Sequence, residues 1–259
     1  MKTSNILILA ALTAALAQTV NAASYEALGK EWYEKRAEGA EGTSAKPEPI
    51  NKAIAYYEKA FEQQASAENA AGLLRCYYFK GSFVPMTAAE QKAIFNKGKN
   101  FGEEANKQFP SSAPVKYWLV AHMGKWAKIY GVLSAAKEGV ADKIKKLSEE
   151  IINLDANYND AGGYEILGLV HLHSPNIPFI LTWPSNKTAL ENLHKAAQLA
   201  PTIANTLCFA QALVKAGKKD LAAALLKKTL TMQPRSEKLV EERNGLQQAA
   251  EQLKKLTAE

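Results

Sequence analysis

Four ring-bearing side chains in the middle of the chain share one spacing and are the first candidates for a binding site. Trp118, His122, Trp126 and Tyr130 recur every four residues, which places them in one stripe along a helix. Each carries a polar edge on an apolar ring, and such side chains suit a partly solvated groove as well as a packed core. The pattern leaves two interpretations open: an aromatic core seam, or the border of a groove for an apolar or amphipathic ligand or a partner segment.

An apolar, proline-rich loop is the second candidate. Residues 174–185 place three prolines around Ile177, Phe179, Ile180, Leu181 and Trp183. Proline prevents a regular helix there, and an exposed apolar loop must either cover a core or meet a partner. We therefore add Phe179 and Trp183 to the four residues of the stripe as the predicted ligand-binding set.

Catalytic and metal-binding patterns are weak by comparison. His171 and His173 are two residues apart on a predicted helix, so they point to different faces and do not form the i, i+4 pair of a helical metal site. We find no glycine-rich phosphate loop, no nucleophile elbow and no Cys-His pair at useful spacing. We expect no catalytic residue, no metal and no cofactor. An enzyme with a site assembled on a concave face is the less favoured alternative.

The elements that must position these residues are helices in a repeated arrangement. Apolar residues recur at a spacing of three to four almost throughout, which predicts an all-α protein. Segments with a small residue at their first position and, in three cases, proline at their last recur along the chain: Ala53–Ala65, Gly98–Pro110, Ala189–Pro201 and Ala222–Pro234. A fifth copy, Ile144–Ala156, fits less well. Small residues let two helices approach closely, and proline ends the second helix of each pair.

Each of these segments follows a matching first helix. Tyr25 and Tyr164 are both followed by Leu-Gly at three and four residues, and the last repeat places Phe209, Gly217 and Pro234 in order. With these residues the chain resembles the tetratricopeptide-repeat (TPR) family, which implies a helical solenoid of about five pairs that binds proteins. The final repeat is also close to the usual unit of about 34 residues.

The first four repeats carry about nine to twelve additional residues between their two helices, which repeat geometry sends to one edge of the array. Residues 38–49 are typical of a loop, Thr87 of a helix N-cap, and residues 132–140 of a helix interrupted by Gly139. The insertions either form a binding edge with extended hairpins or only lengthen helices and loops for packing.

A narrower resemblance follows from residues 117–131 and 155–201. These segments are similar to TatT-type proteins, the TPR partners of periplasmic TRAP transporters. The resemblance implies an adaptor that binds a periplasmic solute-binding protein, has a cleft for a hydrophobic ligand and assembles into trimers. The cysteine of lipid-anchored members is missing. A general envelope scaffold or assembly factor is the alternative.

The two ends of the chain have separate predicted roles. Residues 1–22 combine Lys2, an apolar stretch of about 12 residues and small residues before the predicted cleavage point, which predicts a signal peptide and a periplasmic or secreted protein. Residues 23–235 form the predicted array, and residues 236–259 a C-terminal capping helix. The net charge of +6 comes with interspersed acids, so we expect no nucleic-acid partner.

The two cysteines test the predicted array. Cys76 and Cys208 lie in first helices three repeats apart. An open array would separate them by some tens of Å, whereas a disulfide needs Cα atoms within about 7 Å. We predict that the two thiols do not form an intramolecular bond.

Overall fold

The computed structural model describes residues 23–177 and 179–258. The predicted signal peptide at residues 1–22 lies outside the described residues. Within the described part, α-helices are joined by turns, two short 3-10 helices and two isolated β-bridges. The helices are α1 (residues 23–34), α2 (Pro47–Gln63), α3 (Ala67–Phe83), α4 (Ala88–Gln108), α5 (Ala113–Tyr130), α6 (Val132–Lys137), α7 (Val140–Leu154), α8 (Tyr158–His173), α9 (Asn186–Leu199), α10 (Ile203–Lys215), α11 (Lys219–Thr229) and α12 (Leu239–Thr257).

The helices pack in consecutive pairs. The first helices are α1, α3, α5, α8 and α10, and the second helices are α2, α4, α7, α9 and α11. Neighbouring first helices also contact each other from α3 to α10, and α12 packs on α10 and α11. The predicted all-α solenoid of about five helix pairs, followed by a C-terminal helix, is confirmed.

Small side chains set the distance between the helices of a pair. The alanines at the eighth position of three repeats, Ala60, Ala105 and Ala196, are buried. At Gly168 on α8, an added Cβ atom would lie 2.5 Å from Cγ of Leu193 on α9. That separation is far shorter than a van der Waals contact, so a larger residue would push the two helices apart.

The additional residues of the first repeat form a 3-10 helix (Lys35–Ala37) and a turn before α2, whereas those of the second repeat lie mainly in the long helices α3 and α4. Helix α2 begins at Pro47 because proline is well suited to the first helical turn, so the predicted loop at residues 38–49 ends three residues early. Helix α4 begins after Thr87, whose hydroxyl accepts a hydrogen bond from the backbone N–H of Glu90 while the Glu90 carboxylate accepts from the Thr87 N–H. This capping box confirms the predicted cap.

The additional residues of the third and fourth repeats form structures of their own. Residues 132–140 make the short helix α6 and a break at Gly139, whose φ of 61° is left-handed, as predicted. Residues 174–185 form a loop in which Ile177 and Leu181 exchange two backbone hydrogen bonds of 2.8 Å. These two insertions lie beside the candidate site.

The C-terminal part of the chain reaches back to the first repeat. The Arg36 guanidinium donates hydrogen bonds of 2.8 and 3.0 Å to the Glu241 carboxylate, and Val240 is buried in the same apolar cluster as Tyr33 and Tyr57. The segment that follows the last repeat therefore contacts the first repeat, a feature that the expected open array did not include. Both cysteines are free, as predicted, and both are buried.

A second set of charges fixes the same segment to the start of α8. Asn159, Asp160 and Ala161 have left-handed φ angles of 48°, 61° and 61°, a conformation that costs roughly 1–2 kcal/mol per residue. The Asp160 carboxylate accepts hydrogen bonds from the Arg235 guanidinium at 2.8 and 3.2 Å and from the Lys238 ammonium at 2.7 Å. The Glu242 carboxylate accepts a 2.7 Å hydrogen bond from the backbone N–H of Arg235 and pairs with its guanidinium. We call the whole charge network the C-terminal clasp; its members are Arg36, Asp160, Arg235, Lys238, Glu241 and Glu242.

The clasp makes the stability of the fold dependent on pH. Burial opposes ionisation of Asp160, but the hydrogen bonds from Arg235 and Lys238 outweigh it and lower the pKa to about 2. Its contribution is therefore complete above about pH 4, where the carboxyl is ionised in the unfolded chain as well, and is lost as the pH falls towards 2.

We expect Asp160→Asn to lower the free energy of unfolding at pH 7 by about 1 kcal/mol, after allowance for solvent screening. Asparagine tolerates the left-handed conformation, so the substitution removes mainly the charge. Urea denaturation at pH 7 and at pH 2.5 measures the effect, which should shrink at the lower pH. An equal loss at both values would contradict an electrostatic role.

Candidate functional site

The predicted aromatic stripe lies mainly in the interior. His122 is 0% exposed, and its Nε2 lies 2.9 Å from the Leu74 carbonyl oxygen, which can only accept a hydrogen bond, so Nε2 carries the proton. Burial lowers the pKa of His122 to about 4, against the effect of this hydrogen bond. A Cβ atom at Gly98 would overlap the imidazole. His122 is therefore a neutral packing residue.

The other members of the stripe complete the seam between α5 and the helices before it. Trp126 is 3% exposed and donates a 3.2 Å hydrogen bond to Asn96, and its ring stacks on Tyr130 with centroids 4.4 Å apart. The half-buried ring of Trp118 lies 5.5 Å from that of Tyr78. His122 is enclosed by α3 and α4, whereas Trp126 contacts α4 and belongs to an apolar cluster with Val140 and Ile144 of α7.

The two predicted residues of the proline-rich loop differ from each other. Trp183 holds the loop to the array: its Nε1 donates a 2.6 Å hydrogen bond to Asp142, and its ring lies edge-on to His171 at 4.8 Å. Phe179 is fully exposed and has a φ of 66°, and the next residue, Ile180, is 68% exposed. The loop is thus anchored at one end and presents apolar side chains at its tip.

A cavity of about 600 Å³ lies on a different face of α5. It is enclosed by α5, α6, α7, α8 and the loop at residues 174–185, so the insertions of the third and fourth repeats both contribute to its wall. Most of the lining is aliphatic, including Val120, Ile144, Ile166, Leu169, Ile177 and Leu181. The six predicted ligand-binding residues do not belong to this lining.

A few polar side chains interrupt the apolar wall, among them Lys125 and Lys128 on α5 and Glu165 and His173 on α8. Burial lowers the pKa of Lys125. Burial has the opposite effect on an acid and raises the pKa of Glu165. The Glu165 carboxylate accepts a weak hydrogen bond from the Cys208 thiol at 3.5 Å. The pKa of His173 is lowered by burial and by nearby lysines. An apolar cavity with a few desolvated polar groups is the usual form of a small-molecule site.

Sequence reasoning missed this cavity, although a signal was present. Ala121, Lys125 and Lys128 recur at helical spacing on α5, as do Glu165, Leu169 and His173 on α8. Neither row stands out from an ordinary solvated helix face until the fold shows that the two rows share one cavity.

In residues 23–177 and 179–258, no group of three or more His, Cys, Asp or Glu side chains is arranged to hold a metal ion. Within the same ranges, no helix combines the length and apolar character needed to cross a membrane.

Solved structures with the same architecture decide the fold type. A thermophilic TPR protein from Thermus thermophilus superimposes with a TM-score of 0.55 at 16% identity, covering 77% of this chain and 91% of the other. The fold is that of a tetratricopeptide-repeat protein. Within this fold the cavity lies between the successive first helices α5 and α8, beside the insertions of the third and fourth repeats.

Two further TPR structures are similar at lower scores. Yeast Tom70 gives a TM-score of 0.48 at 16% identity, with 93% of this chain and 42% of Tom70 covered. The TPR2AB domain of yeast Sti1, in its complex with pHSP90, gives 0.33 at 15% identity, covering 91% and 98%. No protein-family model and no curated relative matches the amino-acid sequence.

We expect Trp126→Ala to lower the free energy of unfolding by about 3–5 kcal/mol, because a large enclosed side chain is replaced by a void. Phe179→Ser is the matched comparison and should change stability by less than about 0.5 kcal/mol, because its ring is exposed. Circular dichroism during urea denaturation measures both. Similar small losses for the two variants would show that Trp126 borders an open groove after all.

Proposed function

We propose that the protein is an exported TPR adaptor that holds an apolar ligand between α5 and α8 and contacts a protein partner through the insertion beside that cavity. The observation that carries the proposal is the exposure of Phe179 next to residues of the cavity wall. The protein acts by binding, with no catalytic step.

The conformation of Phe179 supports an interaction role for the loop tip. A bulky residue at positive φ is rare, and the left-handed conformation costs roughly 1–2 kcal/mol. Phe179 adopts this unfavourable conformation although its ring is fully exposed, so no apolar contact within the chain offsets the cost. Leu133 on α6, the other insertion beside the cavity, is also exposed. Exposed apolar groups on neighbouring insertions are typical of a surface that a partner covers.

The resemblance to TatT-type proteins supports a finer proposal. The partner is a periplasmic solute-binding protein of a TRAP transporter, and the adaptor assembles into trimers. The predicted signal peptide supports the same compartment. A trimer would give three times the monomer mass in light scattering. A general envelope scaffold, the alternative, would not select a solute-binding protein.

A photo-activated cross-linker tests the partner surface. Placed at position 179 and irradiated in living cells, it should capture a solute-binding protein that mass spectrometry identifies. The matched control places the cross-linker at Leu221, another exposed apolar residue, on α11. Capture of the same proteins from both positions would count against a partner surface at the loop.

A substitution at Gly124 tests the cavity separately. Gly124 lines the cavity, and a Cβ atom there meets open space, so Gly124→Leu should fold normally while narrowing the cavity. We expect it to weaken binding of Nile red, a neutral apolar dye, by about tenfold or more, measured by fluorescence titration. Gln198→Leu on the exposed face of α9 should leave the affinity unchanged. Equal affinity of the wild-type protein, Gly124→Leu and Gln198→Leu for Nile red would show that the dye binds outside this cavity.

A further inference from the structure

Buried lysines in this protein are generally paired with carboxylates. The buried Lys116 ammonium lies 2.6 Å from Glu150, and that of Lys99 lies 2.8 Å from Glu138. The pairing has a physical reason, because an ammonium removed from water must be compensated by hydrogen bonds or an opposite charge. A desolvated lysine without such a partner is therefore suited to bind an anion.

Lys125 has no such carboxylate partner, and it lies in the cavity wall. The residue is half-buried on α5, and none of the described carboxylates lies within ion-pair distance of its ammonium. Its contact is the ring of Tyr78, with Nζ 5.4 Å from the centroid. Desolvation of Lys125 lowers its pKa, in line with an uncompensated charge.

The acidic side chains of the cavity are engaged elsewhere. Glu165 accepts a hydrogen bond from the Cys208 thiol. Burial raises the pKa of Glu165, which favours the neutral form of this carboxyl. The Asp142 carboxylate accepts a 2.6 Å hydrogen bond from the indole N–H of Trp183. Neither carboxyl therefore supplies the counter-charge for Lys125.

A second cleft of similar size shows the contrast. About 630 Å³ is enclosed where α4, α5 and α7 meet, and Lys116 and Glu150 are part of its lining. These two side chains already neutralise each other. The buried lysine of that cleft therefore needs no counter-charge from a ligand.

We propose that the cavity between α5 and α8 binds an amphipathic monocarboxylate, with its carboxylate on Lys125 and its hydrocarbon chain along the aliphatic wall. This inference rests on the proposed function, since it names the ligand class of the same cavity. The volume of about 600 Å³ lies within the range of roughly 300–1,000 Å³ typical of ligand sites. Lys125 is a single point charge, which matches one carboxylate, and the second lysine of the wall, Lys128, is exposed to solvent; phosphate groups are commonly held by a forked guanidinium or by several donors.

Three amphiphiles with the same chain and different head groups provide the test. Isothermal titration calorimetry of the purified protein with dodecanoate, dodecanol and dodecylammonium compares an anionic, a neutral and a cationic head. We expect dodecanoate to bind about ten- to a hundredfold more tightly than dodecanol, the range for a charge-assisted hydrogen bond. Dodecylammonium should bind most weakly, because Lys125 repels it.

The lysine is tested by Lys125→Met, which nearly keeps the length of the side chain and removes its desolvated charge. The variant should bind dodecanoate and dodecanol with affinities within about twofold of each other. Lys137→Met, on the exposed face of α6 and outside the cavity wall, should retain the preference for the acid. A preference that survives in Lys125→Met, or equal binding of acid and alcohol by the wild-type protein, overturns the inference.

The outcomes separate this inference from the proposed function. If Nile red binds in a Gly124-dependent way but no acid preference is found, the carboxylate assignment is wrong and the apolar cavity remains. If Gly124→Leu alters the binding of neither dye nor amphiphile, the cavity is not the binding site and both proposals fail.

Discussion

The ion pairs of the C-terminal clasp are the constraint on which the rest of the structure depends. Helix pairs of this type are held mainly by contacts with their neighbours, whereas Arg36 and Glu241 join residues that are 205 positions apart in the sequence. Arg36 is buried, so its charge needs the Glu241 carboxylate to remain compensated. The same segment holds Asp160 in a left-handed turn at the start of α8 and so fixes where that helix begins.

The clasp and the cavity adjoin each other at Tyr78. This residue belongs to the cavity wall, and its pKa is raised by burial and by the nearby carboxylates of Glu165 and Glu241. Glu165 in turn lies close to Asp160 and Lys238 of the clasp. The position of the C-terminal segment therefore influences the electrostatic environment in which a ligand of the cavity would be held.

Local patterns in the sequence were sufficient for the helix pairs and insufficient for the site. The periodicity, the small residues such as Ala60 and the cap at Thr87 act over one or two turns, so the sequence alone predicts them. The proline-rich loop was also recognised as irregular. The clasp was not predictable, because its partners are distant in the sequence and each looks like a surface charge. Lys125 was missed for a similar reason, since its lack of a carboxylate partner is a property of the packed array.

The contact between the C-terminal segment and the first repeat also limits how such a chain can change in evolution or design. Solenoids gain and lose whole repeats readily, because each unit contacts only the next. One extra helix pair would displace Glu241 from Arg36 by about the 8–10 Å that separates packed helices and leave a buried guanidinium uncompensated. This contact therefore disfavours a change in the number of repeats. The insertions, such as residues 174–185, are less constrained because they take no part in the Arg36–Glu241 pair.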